Sequence, residues 1–467
     1  MAERELVIVG AGPGGYVAAL RAAQRGLKTT LIEREKVGGT CLHHGCIPSK
    51  ALIHGARVFE TVKHAAKFGV KLEGPVGFDY PALAAHKDKT VANLEKGVGF
   101  LLQKRGVETL FGEAAFKDAH TLTLRKADGS SEEVPFRHAL VATGSAPTQL
   151  PNIPIDGMTF VTSNEVLQWD QLPASLAIVG AGVIGCELAS LYARLGVPVQ
   201  VVELLDGALP GFDAEVRREV EKQLKRQGVE FFFGVKVEEA YPGPTGATLL
   251  LSNGETLNAQ CCLVAIGRTP HTEGLAPEAA GLKLGPRGHL TVDARCRTNV
   301  PHIYAVGDVT GVSPFAHAAS HMGLVAVEQI LGAARGGHDA VFDATKVPWG
   351  VFTKPEVGAI GLSEEKAREG GREVKVGKFG WRGLGKSQAT LELDGFVKVI
   401  ADAQTGKLLG LHIVGEEATN LLGEGSLAWG AGATLEQLAD SVHCHPTLPE
   451  AVGEAALAAL GIPIHGL

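Results

Sequence analysis

Cysteine is scarce in this chain, with seven in 467 residues, too few for the disulfide scaffold of a secreted domain. No dense basic block occurs, and 44 Lys and Arg against 51 Asp and Glu leave a net charge of −7. That balance argues against a nucleic-acid footprint. Long hydrophobic runs are missing too. The most apolar region, residues 176–202, is interrupted by Glu187, Arg194 and several glycines and does not read as a membrane span. No basic leader or cleavable apolar segment precedes the first apolar run, which begins by Leu6, so an unexported, cytoplasmic protein is expected.

What is present reads as an ordinary soluble globular chain, 45% hydrophobic and 20% charged. Its length predicts about three domains. Internal repetition organises it. Residues 8–33, IVGAGPGGYVAALRAAQRGLKTTLIE, align without a gap with residues 178–203, IVGAGVIGCELASLYARLGVPVQVVE, at a constant offset of 170. Each reads as a buried strand, a glycine turn, an amphipathic helix and a second strand. The first glycine (Gly10, Gly180) allows the tight turn, and the second (Gly12, Gly182) lets backbone approach a pyrophosphate. The third (Gly15, Gly185) lets the helix pack close, so that its amides point at the phosphates. Glu33 and Glu203 stand where a ribose diol would donate to them. Glu203 has no arginine nearby, which favours NAD over NADP.

A second repeat marks unit ends. LVATG at 140–144 and LVAIG at 263–267 each close a nucleotide unit, and YAVGD at 304–308 delivers another carboxylate from a buried strand. The proline-rich stretch SAPTQLPNIP reads as a linker. From about Val341 the pattern changes to hairpin-like FVKVIAD and LLGLHIVG, followed by the helical stretches TLEQLADSV and PEAVGEAALAAL, a separate α+β domain.

The segment 38–50, GGTCLHHGCIPSK, poses the chemical question. Two cysteines at this spacing suit a metal half-site, a structural staple or a working disulfide. Zinc needs about four ligands and no second cysteine pair stands at ligand spacing, though His43 and His44 keep chelation open. A domain of this size needs no staple, and in a reducing compartment such a pair points to catalysis.

In order along nearly the whole chain, GAGPGG, GGTCLHHGCIPSK, ATG, GAGVIGCE, AIGR, YAVGD and HCHPTLPE resemble the motifs of the flavoprotein disulfide reductases. That resemblance implies an α/β protein with two Rossmann-like dinucleotide-binding domains: FAD at 1–149 and NAD at 150–270. A central domain at 271–340 would complete the FAD site, and an α+β dimerisation domain at 341–467 would build a homodimer. It implies that Cys41 and Cys46 form a redox disulfide against the flavin. Cys41 would exchange with substrate, and Cys46 would be the charge-transfer thiolate nearer the flavin. Lys50 would lie by the flavin, paired with Glu187. His445 would be the base that takes the substrate thiol's proton, oriented by Glu450, with His443 structural.

The same resemblance assigns the FAD contacts to Gly10, Gly12, Gly15, Glu33 and Lys50, joined by Ala114, Thr143, Gly144, Asp308 and Ala316. For NAD it assigns Gly180, Gly182, Gly185, Glu187, Glu203 and Gly267. The implied reaction is oxidation of protein-bound dihydrolipoamide by NAD⁺. The implied partners are a lipoyl domain and the acyltransferase subunit of a 2-oxo-acid dehydrogenase complex, with no nucleic acid, membrane or metal. Two other readings stay open: another disulfide reductase of the family, or a flavin-binding protein with an interaction role. The chain departs from the family pattern at CLHHGC, where CLNVGC is usual, in the uncharged AHAASHMG at 316–323, and at the acidic pair Glu416 and Glu417.

Overall fold

The computed structural model describes residues 3–466. The two glycine repeats fold as two copies of one unit. In the first, strand Arg4–Val9 leads through the turn into helix Pro13–Gln24 and strand Thr29–Glu33. In the second, Leu176–Val179, Val183–Arg194 and Val199–Glu203 repeat the pattern. Helices and second strands keep the offset of 170 at both ends. Their strands are apolar runs because each parallel sheet is covered on both faces.

The first parallel sheet runs Glu108–Phe111, Thr29–Glu33, Arg4–Val9, Ser131–Val141, Ile303–Ala305. The second runs Val229–Phe233, Val199–Glu203, Leu176–Val179, Cys261–Val264, Phe160–Val161. The order matches strand for strand except in origin at one edge. There the first unit takes its strand from far along the chain, which carries Asp308 back to it. Each unit also has a three-stranded antiparallel element, made by Glu113–Asp118, Thr121–Arg125 and Ser131–Val141 in the first. In the second it is made by Val237–Gly243, Gly246–Leu251 and Thr256–Ala259.

Part of the stretch that reads as a linker is a strand. Ser145–Pro147 pairs antiparallel with Arg268–Pro270, and this two-stranded ribbon ties the units together just past their repeated glycines. Prolines are tolerated there because both strands are edges.

The C-terminal region forms a five-stranded antiparallel sheet, Trp349–Val351, Glu356–Gly361, Leu408–Gly415, Phe396–Asp402, Val374–Gly380. Helices Ala418–Ala431 and Glu450–Ala459 help close its core around Trp381, Val397 and Ile413. Helix Leu435–Ala439 opens on a capping box between Thr434 and Gln437. It stops short of the sequence expectation, leaving 440–449 irregular. Buried Lys398 fastens this sheet to the second glycine unit, with Nζ 3.0 Å from Asp213 and 2.8 Å from Glu215, and it also meets Glu364 of its own region at 2.8 Å. Cutting one partner from so buried a pair costs about 3–5 kcal/mol, so the two regions are held in fixed register. Among the described residues, no helix is long and apolar enough to cross a membrane.

Candidate active site

Both glycine turns open on one cavity of about 2510 Å³, larger than the roughly 300–1,000 Å³ of a pocket for one small ligand. Gly10 and Gly180 adopt φ +98° and +105°, and a Cβ on either would collide with a carbonyl of the neighbouring strand's end, Ala142 or Ala265. A Cβ on Gly15 or Gly185 would strike the carbonyl of the turn's first glycine, so these two pack the helix rather than face the cavity. Among the described residues, Gly182 has nothing within 4 Å of its Cβ position, and Gly12 only Gly39 at 4.0 Å. Both are helix N-caps without a side-chain cap, which leaves first-turn amides aimed at open space, the requirement for a bound phosphate.

Glu33 and Glu203 are placed alike. Each accepts a hydrogen bond from the turn, Ala11 N or Ala181 N, at 2.7 Å, and one from its own strand end, Glu35 N or Leu205 N, at 2.9 Å. Thr143, Gly144, Ala114, Asp308, Ala316 and Gly267 all line the same cavity.

Cys46 starts the helix Cys46–Lys63, which places its sulfur at a helix N-terminus, and Cys41 lies in the short helix Gly39–His43 before it. Both are free thiols in this structure and both line the cavity. They are unequal. A hydrogen bond from Cys41, opposed by burial and helped by Lys50, lowers Cys46 to about 7. The same hydrogen bond, reinforced by burial, pushes Cys41 well up. Lys50 Nζ donates to Glu187 Oε2 at 2.8 Å and sits 4.3 Å over the ring of Phe352. The other Glu187 oxygen accepts from Phe352 N at 2.9 Å. Glu187, 6% exposed, therefore has both oxygens engaged and stands with the thiol group as much as with the nucleotide turn.

His43 donates from Nε2 to the Val37 carbonyl at 2.9 Å. No group of three or more His, Cys, Asp or Glu side chains able to hold a metal occurs among the described residues. Burial, aided by His43, lowers the pKa of His44, whose buried Nδ1 has no partner among the described residues.

His445 and Glu450 stand apart from this cavity. His445 Nδ1 donates to Glu450 Oε2 at 2.8 Å, and the imidazole side chain is 77% exposed. Burial of Glu450 acts to raise its pKa but is outweighed by the Thr447 amide and His445, leaving the carboxyl below its usual range. His443 is half of a pair with Glu424 at 3.0 Å. One chain thus gathers Cys41, Cys46, Lys50 and Glu187, and leaves the expected base on its surface.

Residues 4–323 match the model of the pyridine nucleotide-disulphide oxidoreductases, and residues 347–456 match the dimerisation domain of the same group. The chain belongs to the pyridine nucleotide-disulphide oxidoreductase family. It is 43% identical to the dihydrolipoyl dehydrogenase of Haloferax volcanii over 99% of this chain and 98% of that protein. It is 40% identical to the dihydrolipoyl dehydrogenase of Bacillus subtilis over 99% of each. Among solved structures, LpdA from Mycobacterium tuberculosis superposes with a TM-score of 0.90 at 30% identity, over 97% of this chain and 99% of that one. The flavoprotein disulfide reductase RclA from Escherichia coli, as its Cu(II) complex, gives 0.88 at 27%, over 98% and 99%.

For a family member the cavity fits two dinucleotides, since two uncapped helix N-termini, each with an open glycine cradle, face it. Reading the sequence missed three of its side chains. Phe352 lies under Lys50, and Arg268 and Ser145 follow the two repeated glycines. Their matched positions after LVATG and LVAIG were the available signal.

Proposed function

We propose that the chain oxidises protein-bound dihydrolipoamide to lipoamide and reduces NAD⁺ to NADH, with FAD as its resident cofactor. The observation that carries this is the thiol pair Cys41 and Cys46, set beside the Lys50–Glu187 ion pair inside the cavity that both glycine turns share. Full-length relatives named for dihydrolipoyl substrates support the choice of dithiol, and Glu203 supports NAD⁺. The Gly10–Gly15 turn, Glu33 and Asp308 would hold FAD, and the Gly180–Gly185 turn and Glu203 would hold NAD⁺. FAD, when bound, supplies the two-electron acceptor that hands hydride to NAD⁺.

Starting from the oxidised pair, one substrate thiol gives its proton to His445 and its sulfur attacks Cys41. The Cys41–Cys46 bond breaks, and Cys46 departs as a thiolate beside Lys50. Cys46 is the leaving group because its sulfur stands at a helix N-terminus near Lys50, both of which stabilise a thiolate. The second substrate thiol then attacks its partner sulfur in the mixed disulfide, the bond to Cys41 breaks and lipoamide is released; the second thiol's proton passes to Cys41, which ends as a thiol, while His445 keeps the first. Glu450 holds the His445 ring through Nδ1, so Nε2 is left to receive the proton.

His445 lies outside its own chain's thiol cavity, and the C-terminal region matches a dimerisation domain. We therefore place the base across a homodimer interface, with two shared sites per dimer. A lipoyl domain and an acyltransferase subunit of a 2-oxo-acid dehydrogenase complex are the partners this reaction needs. The cytoplasm, where thiols stay reduced, is the setting it suits.

Steady-state assays with dihydrolipoamide, glutathione disulfide and mercuric ion, each with both nicotinamides, test the reading. Turnover of dihydrolipoamide with NAD⁺ is expected, and a preference for either other substrate with NADPH would overturn it. Sharing is tested by a doubly tagged mixed dimer of a Cys46→Ser chain and a His445→Gln chain. One of its two sites would escape both substitutions, so activity should return. A verified mixed dimer without turnover rejects shared sites.

A further inference from the structure

Three segments far apart in sequence end on one polar cluster. Ser145 follows Gly144, Arg268 follows Gly267, and Asp308 closes the YAVGD segment. The ribbon of Ser145–Pro147 and Arg268–Pro270 sets the first two side by side. Arg268 Nε donates to Ser145 Oγ at 2.7 Å, and Nη2 donates to the Ser145 carbonyl at 2.6 Å. Ser145 Oγ donates to Asp308 Oδ2 at 2.5 Å, and Arg268 Nε lies 3.8 Å from that same oxygen. The order of donation is forced. A guanidinium only donates, so the serine hydroxyl accepts from it and spends its single proton on the carboxylate. Asp308 Oδ1 accepts no hydrogen bond from the described residues. All three residues line the cavity that both glycine turns share, and the Arg268 and Asp308 side chains are only 18% and 25% exposed.

We propose that Arg268 is a positioning residue for the flavin nucleotide. Acting through Ser145, it fixes the Asp308 carboxylate with Oδ2 occupied and Oδ1 free to accept from a hydroxyl of FAD. This rests on the reading of the cavity as a flavin site. A carboxylate in the short turn after a strand otherwise rotates freely about its side-chain bonds, and ordering it on binding would subtract from affinity. Fixing it beforehand removes that loss. Arg268 leaves the same backbone position that follows Gly267, the expected edge of the NAD pocket. One side chain therefore anchors a flavin contact from the nicotinamide side of the ribbon.

The competing account is that Arg268 merely staples two short strands. The two accounts differ in flavin affinity, measured as the rise in free-flavin fluorescence on serial dilution of the purified holoprotein. Arg268→Met should weaken FAD binding about tenfold, and Ser145→Ala should weaken it in the same direction. The double variant should be no worse than Arg268→Met alone, because both changes cut one chain of contacts. Arg268→Lys, which keeps the charge but loses the two-pronged grip, should fall between wild type and Arg268→Met. Asp308→Ala is the reference. If it weakens FAD while Arg268→Met and Ser145→Ala bind as wild type, or if their effects simply add, the positioning role is wrong. If Asp308→Ala itself binds FAD normally, Asp308 is not a flavin contact and the proposal falls, whatever the dithiol assays show. Should Arg268→Met fail to fold, Ser145→Ala, which removes a single oxygen, decides the matter.

Discussion

Residues 8–33 and 178–203 fold alike from strand to strand, and each braces its glycine turn with a glutamate at the same two distances. Their differences lie where chemistry is expected. Gly14 in the first helix corresponds to Ile184 in the second. A Cβ at Gly14 would press on Val306 at 3.1 Å and the Ala319 carbonyl at 3.3 Å, because helix Ala316–Leu331 packs there. Val17 corresponds to Glu187, the carboxylate that reaches Lys50. The first unit alone runs on into the thiol segment. The shared positions thus build two equivalent cradles, and the positions that differ join them into one redox site.

If that division is right, the gravest damage comes from a residue with no counterpart in the second unit. Cys46→Ser should cut dihydrolipoamide turnover at least about a thousandfold while FAD and NAD⁺ still bind, as read by flavin content and nucleotide titration. Loss of bound flavin in this variant would mean that the thiol segment belongs to the cradle after all. A milder break recasts the second helix in the image of the first. Glu187→Val strands Lys50, and because the Lys50 side chain is 33% exposed the loss should fall short of a fully buried pair's 3–5 kcal/mol. We expect kcat to drop about a hundredfold with little change in KM for NAD⁺. A rise in KM alone would instead make Glu187 a nucleotide contact.

The matched glutamates test the equivalence directly. Glu203→Ala should raise KM for NAD⁺ about tenfold, from the loss of charged hydrogen bonds, and leave flavin bound. Glu33→Ala should do the converse, shedding flavin and sparing NAD⁺ binding in the molecules that keep it. If both variants lose the same ligand, the two units do not bind separate nucleotides.

The repeat was legible because the glycine positions answer to local stereochemistry, a positive φ or a carbonyl pressed against the α-carbon, which a sequence carries without knowing its partners. The thiol segment was legible by its spacing and its ending in Pro48, Ser49 and Lys50. Phe352 was not, and Arg268 and Ser145 showed only as the positions after the repeated glycines, since each acts on a residue more than a hundred positions away. The strand Ser145–Pro147 looked like a linker for the same reason: its partner lies beyond the whole second unit. His445 shows the remaining limit. Its pairing with Glu450 is local and readable, but it lies outside the cavity that holds its own chain's thiols.

The smallest effect we predict separates the two influences on Cys46. Its thiol lies near 7, below the ordinary thiol range, first because Cys41 donates to it and, after burial has opposed the shift, because Lys50 is near. A lowered thiol pKa means that thiolate accumulates as pH rises through about 7 rather than through the usual value, so the two curves differ most between those limits. Cys41→Ser keeps a donor beside the sulfur, and the ultraviolet thiolate absorbance should still appear near 7. Cys41→Ala removes that donor, and the midpoint should move upward. Lys50→Met should move it upward by less, since charge at a partly exposed site is screened. Cys46→Ser serves as the blank that subtracts the other thiols. If Cys41→Ala and Cys41→Ser titrate together, the hydrogen bond is not what sets the acidity. The preference for Cys46 as leaving group would then rest on Lys50 and the helix N-terminus alone, and Lys50→Met should show the larger shift.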